Sequence, residues 1–348
     1  MLYSLSGRGK MKKQRGFFDD ELRLKDLEKQ GDPLIALNKM IKWESFRHTL
    51  NRVFEKQAKG PGGRPAYDYV MMFKILILQR LYNLSDAQIQ FQIMDRFSFM
   101  RFLGLNLQDQ VPDEKTIWLF RETLTKSGKI ELLFEQFRSY LLNEGIIAHS
   151  GKIVDASFVE APKQRNTKEE NEEIKGEKVP DGWEENKIRQ KDVDARWVTK
   201  GGQRHYGYKN HIKIDRKSKI IEKYVITPAS VHDSQVFEKL ITEKDSHHEI
   251  YADSAYSGKT IKNILQENKI KNRIHEKGCR YSILSRQQME SNRKKSKVRC
   301  RVEHVFGCIK NSLKGNMIRA IGIIRANAII GLINLTYNMI RYLQLCRA

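Results

Sequence analysis

Between residues 17 and 145, apolar side chains return every three or four positions. Trp43, Phe46, Leu50 and Val53 keep that spacing, which predicts one buried helical face. KGPGGRP at 59–65 breaks the run, because glycine and proline interrupt helices. Helical spacing resumes in YVMMFKILILQRLY (69–82). Ser85 and Gln88 form a capping-box pair ahead of Ile89, Ile93 and Phe97. A further helix is expected after PDEKT (112–116), and another that stops at Gly145. Residues 17–148 thus read as an all-helical N-terminal domain, preceded by an unstructured segment, 1–16, in which Met11 is a candidate start.

At residue 152 the period changes. KIVDASFV predicts a short buried strand. The tract 163–192 has few apolar residues and mixed charge, and reads as a polar insertion in loop form. HYGYKNHIKID and KIIEKYVIT alternate like two strands joined by a turn at 215–219. Asp233 opens a helix through Phe237 and Leu240. EIYADSAY (249–256) predicts another strand ending in turn-forming residues, followed by a helix to about Asn268. From Lys297 the pattern is helical again, through AIIGLINLTYNMIRYL. Residues 149–348 therefore read as a mixed α/β domain. A chain of 348 residues has room for two domains with their own cores.

Charge changes the picture. Sixty-four Lys and Arg against 42 Asp and Glu give a formal charge of +22, which favours a polyanionic partner, and nucleic acid before any other. The helical domain acquires a DNA-binding reading from this charge alone, since periodicity establishes only a core. No membrane anchor or secretory signal is expected: the apolar helix at 69–82 is short and holds Lys74, Gln79 and Arg80. Four cysteines without a C-x-x-C pair suit a reducing cytoplasm. Cys300, His304 and Cys308 fall at i, i+4, i+8, but lack an evident fourth ligand for zinc.

The segment Ser285–Arg319 carries ten Lys or Arg and only two acids, Glu290 and Glu303. Val298, Val302, Val305 and Ile309 define its apolar face, and Arg299, Glu303, Phe306 and Lys310 follow about one residue round the helix. Glu303 then lies at the edge of the buried face, flanked by cations able to hold phosphate. An i, i+4 ion pair between Arg299 and Glu303 is the competing reading. Asp155 and Asp253 stand among apolar neighbours on two predicted strands. Each alone reads as a strand-end turn cap. Together the three carboxylates suit a pair of Mg²⁺ ions, which prefer oxygen donors and support phosphoryl displacement.

These residues resemble the bacterial insertion-sequence transposases with a DDE triad, and most closely insertion-sequence family five. The matching stretches are IVDASFVEAP around Asp155, YADSAY around Asp253 and RCRVEHVFGCIK around Glu303, with spacings of 98 and 50 residues. The related Tyr-x₂-Arg-x₃-Glu-x₆-Lys pattern is met at Arg299, Glu303 and Lys310, while Ser296 stands at its Tyr position. GDPLIALNKMIKWESFR, RPAYDYVMMFKILILQRLYNLSD and PDEKTIWLFRETL resemble the family's N-terminal helical domain, and GGQRHYGYKNHIKID and TPASVHDSQ the stretch between the aspartates.

The resemblance implies a ribonuclease-H-like core with Asp155 on its first strand, Asp253 on its fourth and Glu303 on a later helix. It implies catalysis by Asp155, Asp253 and Glu303 with two Mg²⁺ ions, or Mn²⁺ in their place. The expected reaction is cleavage at terminal inverted repeats, then joining of the freed 3′-OH to target DNA. Paired DNA ends imply a homo-oligomer, at least a dimer when active, with the helical domain binding DNA or dimerising, and a cytoplasmic, nucleoid-associated location. Candidate DNA contacts are Arg299 and Lys310, with Arg293, Lys294, Lys295, Lys297, Arg301 and Lys314 in the same segment and Lys209 on a strand. His205 and His211 suit strand packing, and His232 a helix start. A non-catalytic DNA-binding protein of this fold, and a Mg²⁺ nuclease without strand joining, are the alternatives.

Overall fold

The computed structural model describes residues 19–54, 65–148, 150–176, 178–278 and 283–347. The expected unstructured segment 1–16, its candidate start Met11 and the breaker at 59–64 lie outside the described residues. The N-terminal half is helical: α1 Asp19–Lys29, α2 Pro33–Met40, α3 Arg47–Phe54, α4 Tyr69–Tyr82, α5 Asp86–Asp95, α6 Phe97–Leu103, α7 Glu114–Lys126 and α8 Lys129–Asn143. Side-chain caps fix where several of these begin. Asp68 accepts from Met71 N at the head of α4, and Asp113 from Thr116 N at the head of α7. Ser85 and Gln88 make the anticipated reciprocal box, which satisfies donors a helix start otherwise leaves orphaned. Trp43, Phe46, Phe73 and Phe102 meet edge-on or tilted in the core.

The second half builds one sheet from β1 Lys152–Glu160, β2 Arg196–Lys200, β3 Gln203–Asp215, β4 Ile221–Pro228, β5 Glu249–Tyr251 and β6 Lys271–Asn272. Strand order is β2-β3-β1-β5-β6, with β4 also pairing β3. β3 runs antiparallel to β1, β2 and β4, whereas β5 runs parallel to β1 and β6 parallel to β5. At Gly207 the chain needs glycine. Its φ is +142°, and a Cβ there would stand 2.4 Å from Val159 O and 2.7 Å from Ala161 N.

One apolar cluster runs from Leu34 and Trp43 through Ile153 and Ile212 to Leu343, where two separate cores had been expected. The cause is the last helix, α15 Ile323–Arg347, counted after α9–α14. It packs on α8, α4, α2 and β4 and so joins the two halves. α15 is long and apolar enough to cross a bilayer, yet 67% of that window is buried inside the fold. A second cluster, with Val154, Phe237, Ile250 and Leu265, covers the other side.

The polar tract 163–192 departs from its expected loop form. It contains α9 Lys168–Lys175 and α10 Glu185–Gln190. Thr167 and Glu170 form a capping box on α9, and Glu170 also accepts from Trp183 Nε1 and Lys187 Nζ. Local caps and ion pairs thus order a segment too polar to show periodicity. Asp192 closes the tract, accepting from the Tyr208 hydroxyl and the Ala195 amide.

Four further α-helices complete the second half ahead of α15. They are α11 Phe237–Leu240 with α12 Lys259–Glu267, then α13 Arg286–Arg299 followed by α14 Arg301–Gly307. α13 begins eleven residues before the predicted Lys297, behind a box formed by Ser285 and Gln288. The helix that looked continuous from Lys297 is broken at Cys300 and loosens into a π turn at Cys308–Ser312.

Candidate active site

Asp155 occupies the middle of β1, opposite Ile212 of β3. Its carboxylate accepts from the Ala156 amide and from Arg299 Nη1 at 2.9 Å, with 16% of the side chain exposed. Burial pushes its pKa up to about 6. The Ala156 amide and the Arg299 guanidinium pull the other way, and the charge of Asp253 adds to the rise. Desolvation of a carboxylate in a sheet interior outweighs one partly exposed cation, yet Asp155 stays ionised near neutral pH and keeps its pair.

Asp253 lies two residues beyond the end of β5, not within the strand as predicted. There it caps the short turn Ser254–Tyr256 by accepting from Ala255 N at 2.9 Å. The cap and the site reading coexist, because the capping geometry leaves the carboxylate close enough to raise Asp155. Tyr256 is buried, with its hydroxyl partnerless, and the charges of Asp233, Asp155 and Asp253 add to the burial that holds its proton.

Glu303, on the first turn of α14, has 66% of its side chain exposed, and its nearest cation is Arg299 Nη2 at 3.9 Å. Arg299 therefore spans from Asp155 towards Glu303. The anticipated Arg299–Glu303 pair exists only as the looser arm of this bridge. Among the described residues, no three His, Cys, Asp or Glu side chains gather closely enough to hold a metal ion. Arg299 pairs with Asp155, the charge of Asp253 reaches Asp155, and Glu303 stands one guanidinium away. The donor chemistry still fits a hard divalent ion: one carboxylate on β1 and one just past the end of the adjacent β5, with a cation already against the first.

The predicted DNA contacts divide. Arg293, Lys297, Lys310 and Lys314 are exposed, as are Lys294, which pairs with Glu290, and Arg301, which donates to Arg216 O. Lys209 is a correction: it is buried, and its ammonium is held by Asp233 Oδ1 at 2.8 Å and Val231 O at 2.7 Å. Lys295 is a second correction, with 13% of its side chain exposed and its ammonium on Ile274 O and Glu276. Both face inward because strand alternation and helix phase put them against neighbouring carboxylates, which charge counting does not reveal. Among the histidines, His205 stacks on Phe158 with ring centroids 4.3 Å apart, His211 is buried against Thr227, and His232 caps the turn at Ser234.

Sequence reasoning missed two neighbours. The charge of Lys200, on the unpredicted β2, reaches Asp155. His275 meets Ser296 Oγ at 3.3 Å, and burial with the charges of Arg299 and Lys295 lowers its pKa. Around His275 the sequence offers only Ile270 and Ile274 among polar residues, which marks neither a strand nor a site.

A mixed sheet carrying Asp155 on β1 and Asp253 just past the parallel β5, next to the basic helices α13 and α14, makes this an α/β core. Residues 22–123 match a transposase domain (DUF772), and residues 147–339 match the transposase DDE domain. The chain belongs to the DDE transposases: it is a DNA-cleaving, strand-transferring enzyme with a ribonuclease-H-like core, and membership implies dependence on divalent metal. Two solved structures align with it. One is a piggyBac transposase synaptic complex with hairpin DNA, 12% identical, covering 90% of this chain and 75% of that one at a TM-score of 0.44. The other is a pre-cleavage Mos1 transpososome, 9% identical, covering 70% and 76% at 0.20.

Proposed function

We propose that this transposase mobilises an insertion sequence of family five. It cuts DNA at terminal inverted repeats and joins the freed 3′-OH to target DNA. The observation that carries this reading is the bridge from Asp155 through Arg299 to Glu303, with Asp253 alongside. Asp155 and Asp253 would hold Mg²⁺ directly, and Glu303 would complete the set for two ions, with Mn²⁺ as a substitute. When bound, the ions supply charge stabilisation to the attacking and leaving oxygens of an in-line displacement.

The chain's own residues do the rest. The short turn at Ser254–Tyr256 fixes Asp253, and the β1 ladder fixes Asp155, so both carboxylates are pre-positioned before DNA arrives. Arg293, Lys294, Lys297, Arg301, Lys310 and Lys314 form the exposed cationic face that holds the phosphate backbone. In the first step water attacks phosphorus and the 3′-oxygen leaves; in the second that 3′-OH attacks a target phosphodiester, whose own 3′-oxygen leaves and takes up the proton. Two element ends call for at least a dimer, with the helical half contributing to DNA binding or dimerisation, and DNA places the enzyme in the cytoplasm at the nucleoid. The test is a duplex carrying an element end: Asp155→Asn should abolish nicking and leave binding intact. Unchanged nicking removes Asp155 from the mechanism, and cleavage of random duplex without joined product favours a plain nuclease.

A further inference from the structure

We propose that Arg299 is a positioning residue whose guanidinium fills the cation position between Asp155 and Glu303, until a divalent ion displaces it towards the DNA. The inference rests on the reading of Asp155 and Asp253 as metal ligands.

Three observations support it. First, the guanidinium lies where positive charge is needed: Nη1 stands 2.9 Å from Asp155 Oδ2, and Nη2 stands 3.9 Å from Glu303 Oε1. Without a cation there, the buried charge of Asp155 would keep only the Ala156 amide as a partner. Second, the position is incompletely satisfied. Arg299 Nε is buried without a hydrogen-bond partner, and such a stranded donor favours leaving once its carboxylate has a better cation. Third, the helix is interrupted beside it. Arg299 is the last residue of α13, and α14 restarts at Arg301 after the exposed Cys300. Released from Asp155, the side chain joins the exposed Lys297 and Arg301, where a planar guanidinium suits a phosphate.

The experiment measures Mn²⁺ binding without DNA, by electron paramagnetic resonance of free Mn²⁺, in the wild type, Arg299→Gln and Asp155→Asn. It also follows the arginine Nε–H signal of Arg299 in the wild type during Mg²⁺ titration, assigned with Arg299→Lys. Removing a competing internal cation should tighten Mn²⁺ binding in Arg299→Gln by roughly tenfold, and Mg²⁺ should shift the wild-type Nε–H signal to a rapidly exchanging position. Equal or weaker Mn²⁺ binding in a folded Arg299→Gln, or an Nε–H signal unmoved at saturating Mg²⁺, overturns the proposal. If the Gln variant does not fold, the wild-type signal decides alone. Wild-type Mn²⁺ binding that Asp155→Asn leaves intact would instead overturn the underlying metal-site reading, a distinct result.

Discussion

Replacing Asp155 by Asn should make the metal-free protein more stable while destroying its activity. The reasoning starts from burial. The carboxyl group titrates at about 6 in the fold against an ordinary value of 3.8, so the folded state prefers the protonated form. The sign follows: the favourable contribution of protonated Asp155 is fully present below about pH 4 and is lost as pH rises through 6. A rise of roughly 2 pH units corresponds to about 3 kcal/mol at pH 7.5. Asn copies the neutral acid, and its amide oxygen can still accept from Arg299. In EDTA, urea unfolding should therefore find Asp155→Asn more stable by up to about 3 kcal/mol at pH 7.5, with the gap closing towards zero by pH 4. Comparing variant with wild type at each pH cancels the other titrating groups. A pH-independent gap, or a variant less stable at pH 7.5, would refute the reasoning and mean that the Arg299 pair outweighs desolvation.

Other perturbations test separate parts. Lys209→Met should cost about 3–5 kcal/mol by stranding buried Asp233 and leave the salt dependence of DNA binding unchanged; a shallower salt slope in a stable variant would return Lys209 to the DNA surface. Lys297→Ala should instead keep its melting temperature and reduce the slope of log K against log salt by roughly 1. Gly207→Ala, with its Cβ at 2.4 Å from Val159 O, should destabilise the β1–β3 ladder by at least about 2 kcal/mol in urea melts. Mn²⁺ affinity should drop by about tenfold per pH unit below pH 6, as the ion competes with a proton on Asp155; a flat profile from pH 5 to 7 would place the ion elsewhere.

Much of this was legible in the residues. Helical periodicity and caps such as Ser85–Gln88 specify local structure through contacts a few residues apart, and alternation over HYGYKNHIKID marks a strand, although its burial on both faces does not follow from that alternation. Asp155 and Asp253 stood out as acids among apolar neighbours. What stayed hidden depends on distant partners. α15 reads as one more helix, yet it merges both halves into one core. Lys209 and Lys295 count as surface charge until their carboxylates at Asp233 and Glu276 are seen beside them. The order in 163–192 comes from caps and ion pairs, which leave no hydrophobic period. The approach of Arg299 to Asp155 crosses 144 positions of chain, and the nearer Glu303 was its obvious partner by spacing.

The account turns on Asp155, Asp253 and Glu303 meeting around divalent ions when DNA is bound. Anomalous diffraction from crystals grown with Mn²⁺ and a duplex of the element end locates those ions directly. Manganese density touching Asp155 and Asp253, with Glu303 drawn in and Arg299 moved to phosphate, is the predicted result. Manganese bound away from Asp155, or a Glu303 still directed to solvent in a complex that cleaves, would contradict it.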